Sequence, residues 1–500
     1  MSSFFAKNML WNAIYQLSAV IAGFLIPRSI IAAYGSQVNG LVSSLTQLIG
    51  YFALVEAGIS GAATFALYQP LSNNDWGAIN RIASASRRFY RRSGSLFLAL
   101  LAVLSLAYPL VIACESMTSI EVMFLVFLLG TKTAVDFFSL SKYRVFLTAD
   151  KKNWVIQLGS TVYTVLNTAI IVALSHLQAP IDVVYGLATL AVFARSFILA
   201  VYTHRVYPHY DCTCDSAGVE LPQRWDALFL QILAAVQSGA PVILATILVA
   251  DLKEVSVLSI YLLIASGMQM IPGVLSTGMQ AEFGRLIASG RIEDLRKRFA
   301  IYRASVYATL ACVVGCGAVL ALPFVDLYTS SIVDVNYHNP VLCALIVANV
   351  FLFHAKTPQG LLVIAAGMYR ETRVQTTLQA LLIVVLGVPL TIQYGICGVM
   401  LASCVSNLYR VIDLLVFVPV RITHELMQVS FEALFICLIQ TTIVALPGLL
   451  IHPCMSSWSD WVTVACAQAI WGMCAVLLVL YTADRSSFHA IAKVFRGNRG

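Results

Sequence analysis

Long apolar runs, separated by short polar segments, organise this chain. The runs fall at 9–33, 40–69, 93–114, 120–147, 154–177, 182–204, 227–250, 257–283, 304–328, 339–366, 374–392, 396–420, 431–451 and 460–482. A helix needs roughly 20 apolar residues to cross the bilayer core, and inside lipid it satisfies its own backbone hydrogen bonds. The pattern therefore predicts an all-α polytopic membrane protein with about 14 transmembrane helices. With 59% hydrophobic and 11% charged residues among 500, and mean hydropathy +0.84, a soluble globular domain is excluded.

Charge sets the expected orientation, because Lys and Arg accumulate in cytoplasmic loops. With the N-terminus inside, 25 of the 31 basic residues fall in cytoplasmic segments, from Lys7 and the Arg81–Arg92 cluster to the C-terminal tail. The outer loops hold only Lys253, so both termini are expected in the cytoplasm. The net charge of +7 then follows from topology and anionic inner-leaflet lipid, without nucleic acid. The first apolar segment carries Asn8, Asn12 and Gln16 and no clear cleavage site, so it reads as the first helix rather than a signal peptide. Eight of 12 cysteines lie in spans, where they serve as small apolar residues, and no disulfide framework is implied.

The chain repeats itself. "WNAIY" at 11–15 matches "WDALF" at 225–229, each followed sixteen positions after its Trp by a proline, Pro27 and Pro241. Arg195 and Arg410 differ by 215, and "FYRRSG" at 89–94 and "IYRASV" at 301–306 by 212. Two parallel six-helix repeats are expected, with a substrate site between them, followed by an appended C-terminal helical hairpin. The division is 1–210 for helices 1–6, 211–427 for helices 7–12, and 428–500 for helices 13–14 and the tail.

Charges inside spans are costly and mark candidate sites. Five cations qualify: Arg28, Lys132, Arg195, Lys356 and Arg410. Each has a plainer reading as an interhelical clamp, a neutralised pair or an interfacial anchor. On the fourth helix Lys132, Asp136, Ser139 and Tyr143 share a face at α-helical spacing. Asp413, three residues from Arg410, is placed to neutralise it. The second helix carries Gly40, Ser43, Gln47, Gly50, Gly58 and Gly61 on one face, which serves either close packing or a cavity wall. Pro27 permits a kink that would redirect Arg28. Glu56, Asp136, Glu282 and Asp413 are the candidate carriers for a coupling ion.

Other chemistry is weak. His204, His209, Cys212 and Cys214 crowd one loop without the second ligand pair of a zinc motif, so no metal is expected. "GTKT" at 130–133 lacks the upstream glycine of a nucleotide loop, and no cofactor is expected. The segment 75–94 mixes Trp76, Ile79, Ile82 and Phe89 with four clustered arginines, the composition of a helix lying on the inner leaflet.

The "WN" helix, "PRSIIAAYGSQVNG" at 27–40, "LVEAGISGAATFALYQPL" at 54–71, the "FYRRSG" loop and the fourteen-helix plan resemble the Wzx-type polysaccharide (O-antigen) flippases. These form the polysaccharide-transport branch of the multidrug/oligosaccharidyl-lipid/polysaccharide exporter (MOP) superfamily. The resemblance covers nearly the whole chain and is clearest over 1–95. It implies a V-shaped pair of lobes around a cationic cavity in the bacterial inner membrane. The implied activity is to flip an undecaprenyl-diphosphate-linked glycan to the periplasmic leaflet by ATP-independent alternating access coupled to protons or sodium. It also implies membrane lipids, a polymerase and a chain-length regulator as partners, and Arg28 as a cavity residue, with Lys132, Arg195, Lys356 and Arg410 beside it; Gln47, on the polar face of the second helix, is a further cavity candidate read from the residues.

Two rivals are set against this reading. A drug or metabolite antiporter of the same superfamily would favour acidic cavity residues and usually twelve helices. A polytopic glycan polymerase or ligase would be an enzyme with a large outer loop and paired carboxylates, and neither feature is visible in the sequence.

Overall fold

The computed structural model describes residues 3–56, 59–214, 225–275, 279–451, 453 and 455–483, and no strand occurs among them. The helices are α1 (Ser3–Phe52), α2 (Ile59–Ser72), α3 (Trp76–Val111), α4 (Ser119–Val135), α5 (Ser141–Ala149), α6 (Asn153–His176), α7 (Ile181–Val206) and α8 (Trp225–Leu244). They continue as α9 (Leu252–Leu275), α10 (Met279–Ala288), α11 (Ile292–Tyr328), α12 (Pro340–Ala355), α13 (Thr357–Ala365), α14 (Arg373–Val418), α15 (Met427–Ile451) and α16 (Trp458–Ala483).

Among the described residues twelve helical stretches are long and apolar enough to cross a membrane. Two of them are folded back on themselves at a glycine with positive φ, Gly35 in α1 (85°) and Gly395 in α14 (57°). In α14 the reversal is explicit, since Ser406 Oγ donates to the Gln379 carbonyl at 2.7 Å across the fold. In α1, Asn8 bonds to the start of α6 and Tyr34 to the far end, at Ala179. Tyr51, beyond the turn, has come back to Ala235 in α8. The left-handed region is open to glycine at little cost, which is why the chain turns there. Helix α1 continues through Pro27, and its backbone leaves helical geometry eight residues later, at Gly35. The two folded helices each supply two passes, which brings twelve stretches to fourteen. The apolar run at 40–69 is divided between the second arm of α1, a 3₁₀ turn over Ala53–Glu56, and α2.

The chain clusters into two compact units, Met1–Ser256 and Val257–Gly500. The order of elements is repeated. Helix α3, 36 residues long, corresponds to the 37-residue α11, short α2 to short α10, and the α4–α5 pair to α12–α13. The reversal at Gly35 has its counterpart at Ala250, also at positive φ (55°). Helices α15 and α16 lie outside the repeat and pack on α11. Trp461 Nε1 donates to the Leu320 carbonyl at 3.1 Å, and Gln468 Nε2 ties α16 to α15 through the Val444 carbonyl at 2.6 Å.

Within the first unit one end gathers the basic loops. Asn8 meets Lys151 there, and Trp76 packs at a tilt against Phe146 and Tyr207. The core of this unit is apolar and continuous, with Phe97, Leu101, Leu125, Phe146 and Val184 fully buried. The segment 75–94 does not form a separate surface helix. Asp75 caps α3 by accepting from the Ala78 amide at 2.9 Å, and the helix then runs unbroken into the span, because neither proline nor an open glycine interrupts it before Pro109.

Candidate functional site

A π turn over Asp136–Leu140 joins α4 to α5 and sets the geometry of the first unit's cavity. An α-helix advances about 100° per residue, so Ser139 and Tyr143 belong on the face of Lys132 and Asp136 only if the helix is regular. The π turn inserts one residue and moves that face to Leu140 and Arg144. Ser139 accordingly turns to Ser196 Oγ at 2.9 Å, and Tyr143 packs edge-on against His204. Arg144, read from the sequence only as a cytoplasmic charge, takes its place in the cavity.

The cavity, of about 570 Å³, is lined by Lys132, Asp136 and Arg144, with Tyr15 and Gly50 from α1, Gln157 and Ser160 from α6, Arg195 from α7 and Gln231 from α8. Arg195 Nη2 lies 3.5 Å from Asp136 Oδ2. Lys132 Nζ sits 4.7 Å over the Tyr163 ring. Three cations thus face one carboxylate. The pair itself is incompletely satisfied, because Asp136 Oδ1 and Arg195 Nε are buried and have no hydrogen-bond partner in the protein. Buried atoms in that condition cost about 1–3 kcal/mol each, more when charged, and a polar ligand that completes them recovers it.

The second unit treats its cations differently. Lys356, where α12 meets α13, donates to Asn407 Oδ1 at 2.6 Å and lies 4.9 Å over the Phe353 ring. Gln379 Nε2 donates to the same Asn407 oxygen at 3.1 Å, while Asn407 Nδ2 donates to Asn349 Oδ1 at 2.8 Å. Arg410, one turn beyond Asn407, is buried and pairs with Asp413 at 2.5 Å. Arg195 and Arg410 hold matching sequence positions, but Arg195 borders a cavity and pairs with a carboxylate from another helix, whereas Arg410 is buried and pairs with Asp413 on its own helix. Gln379 and Asn407 went unsingled in the sequence, and their only signal there is an amide inside an apolar run.

The remaining candidates are dispersed. Arg28 is exposed on the first arm of α1 and does not line the cavity described above. Gln47 is half-buried on the second arm. The glycine face there splits in two. A Cβ on Gly40 would meet the Leu252 carbonyl oxygen at 1.7 Å, which is packing, whereas Gly50 borders the cavity. The side chain of Glu56, and Gly58 altogether, lie outside the described residues. Glu282, on the short helix α10, pairs with Arg298. Among the described residues no cluster of His, Cys, Asp and Glu has the makings of a metal site.

No family model matches the chain, and no curated protein matches it. Solved structures do. A lipid II flippase, MurJ, in an inward closed conformation aligns over 97% of this chain and 100% of its own, with TM-score 0.66 at 14% identity. An inward-facing multidrug resistance MATE family transporter of the MOP superfamily aligns over 84% and 95%, with TM-score 0.62 at 15% identity. A MOP superfamily transporter from Pyrococcus furiosus, described by a reversed polarity of its binding pocket, aligns over 84% and 94%, with TM-score 0.52 at 14% identity. At these identities the likeness shows the fold, and the fold is the one these transporters share.

Proposed function

We propose that this chain is a flippase that moves an undecaprenyl-diphosphate-linked oligosaccharide from the cytoplasmic to the periplasmic leaflet of a bacterial inner membrane. It works by ATP-independent alternating access, with both termini in the cytoplasm. The observation that carries the reading is the charge balance of the first unit's cavity, where Lys132, Arg144 and Arg195 face Asp136 alone. A diphosphate supplies the missing negative charge. Arg offers it a planar two-donor fork, and the unpartnered Arg195 Nε is available for one such bond. Arg28, Gln47, Lys356 and Arg410 are held as further candidates for the glycan path. Glu56, Asp136, Glu282 and Asp413 are the candidates for coupling to an ion gradient, and Asp136 and Asp413 each already lie beside an arginine.

The same fold in MATE transporters makes drug antiport the rival reading, and cavity polarity separates the two, since cationic drugs require a net acidic site. The test is reconstitution of the full-length protein in proteoliposomes that carry a fluorescent undecaprenyl-diphosphate glycan. Leaflet-selective quenching should report protein-dependent flipping without ATP. Export of cationic dyes with no movement of the lipid-linked glycan would reverse the assignment.

A further inference from the structure

A second basic concavity lies outside the cavity just described. Arg87, Arg88, Arg91 and Arg92 on α3 face the loop Cys212–Cys214 across a pocket of about 320 Å³. The loop is a fixed wall. Asn80 clasps it with both ends of its amide, donating to the His209 carbonyl and accepting from the Asp211 amide, each at 2.9 Å. Tyr210 is buried and donates to the Lys142 carbonyl at 2.8 Å. Asp211 is the nearby carboxylate. It is committed to its own turn, accepting from the Thr213 hydroxyl at 2.6 Å and the Thr213 amide at 2.8 Å, and these bonds hold its pKa below the usual range. Arg87 reaches the Cys212 carbonyl at 3.4 Å, while Arg88, Arg91 and Arg92 are exposed.

The placement of this pocket on α3 identifies its occupant. Arg88, Arg92, Leu96, Val103, Leu106 and Leu110 recur at multiples of three and four, so they share one face, and all are exposed. The apolar part of that stripe is what acyl chains touch. From Arg92 to Val111 is twenty residues, about 30 Å of helix, the thickness of the hydrocarbon core, so the arginines fall at the level of the headgroups. We propose that this pocket is a binding site for an anionic glycerophospholipid, its phosphate held by Arg88, Arg91 and Arg92 and its acyl chains laid along Leu96–Leu110. A soluble anion would use the arginines but gain nothing from the stripe.

Native mass spectrometry of the full-length protein released from detergent, titrated separately with cardiolipin, phosphatidylglycerol and phosphatidylcholine, tests this. Cardiolipin should bind best and phosphatidylcholine least. Attraction of one Arg to an anionic leaflet is worth about fivefold, so Arg88→Gln/Arg91→Gln/Arg92→Gln together should weaken cardiolipin binding by about a hundredfold. Arg291→Gln/Lys297→Gln/Arg370→Gln, an equal loss of charge elsewhere, should leave it unchanged. If the triple variant does not fold, Arg91→Gln alone should lose about fivefold on the same principle. Equal weakening by both triple variants, no discrimination among the three lipids, or full displacement of cardiolipin by millimolar inorganic phosphate would each overturn the proposal.

Discussion

Replacing Arg195 by Gln removes one of the three cations from the first unit's cavity and takes its net side-chain charge from +2 to +1. A unit of substrate charge about 6 Å from the guanidinium interacts by about 3 kcal/mol at an effective dielectric of 20, which is about a hundredfold in affinity. The Asp136 side chain is 29% exposed, so solvent reaches the pair and screens part of this; a loss of about ten- to a hundredfold at sub-saturating substrate is expected. Arg195→Gln/Asp136→Asn restores +2, through Lys132 and Arg144, and should recover most of the lost substrate affinity, read as the substrate density at half-maximal flipping with no ion gradient imposed. The assay is flipping in proteoliposomes at several substrate densities, normalised to protein abundance by size-exclusion chromatography. An Arg195→Gln protein with normal abundance and unaltered flipping would refute the charge argument. Low abundance with normal flipping per molecule would make the Arg195–Asp136 pair a clamp.

If the π turn moves the functional face of α4 by one residue, Arg144→Gln should impair flipping as much as Lys132→Gln, about tenfold or more on the same electrostatic scale, whereas Tyr143→Phe should leave it within about twofold. Gly40→Ala drives a Cβ to within 1.7 Å of the Leu252 carbonyl oxygen, and the backbone shift it forces should cost about 1–3 kcal/mol, seen as a lower melting temperature in detergent. Asn407→Ala deprives both Lys356 and Gln379 of their acceptor, and the buried donors left behind should destabilise the second unit by about 2–3 kcal/mol; Asn407→Asp, which keeps the acceptor, should lose less.

The passes were legible because lipid imposes a single rule, about 20 apolar residues per helix, and the runs obey it. Even the two folded helices were countable, since Gly35 and Gly395 fall between runs that the sequence keeps apart. The phase of α4 was legible only as far as Asp136. Side-chain periodicity assumes a backbone of constant pitch, and the hydrogen bonds that make Asp136–Leu140 a π turn leave no trace in it. The same limit hid Gln379 and Asn407. One amide in an apolar run looks alike whether it meets a partner helix or a cavity, and only the fold back at Gly395 brings those two together. Arg28 shows the reverse case, where attention to Pro27 overlooked Gly35, the residue at which the backbone leaves helical geometry.

Duplication copied the scaffold and left the chemistry free to diverge. In the first unit the α4–α5 junction is a π turn, Lys132 stands over an aromatic ring at a cavity edge, and the carboxylate beside Arg195 comes from another helix. In the second the matching junction is the break at Lys356, whose amine is spent on Asn407, and the carboxylate beside Arg410 lies three residues along the same helix. A partner on the same helix moves with its arginine, so the Arg410–Asp413 pair survives any sliding of α14 against its neighbours. A partner on another helix does not. Relative motion of α7 against the π turn that ends α4 would lengthen the 3.5 Å Arg195–Asp136 contact and free the guanidinium for an anion, whereas no such motion separates Arg410 from Asp413. Of the two duplicated arginines, Arg195 is therefore the one whose carboxylate partner separates from it when helices slide past one another.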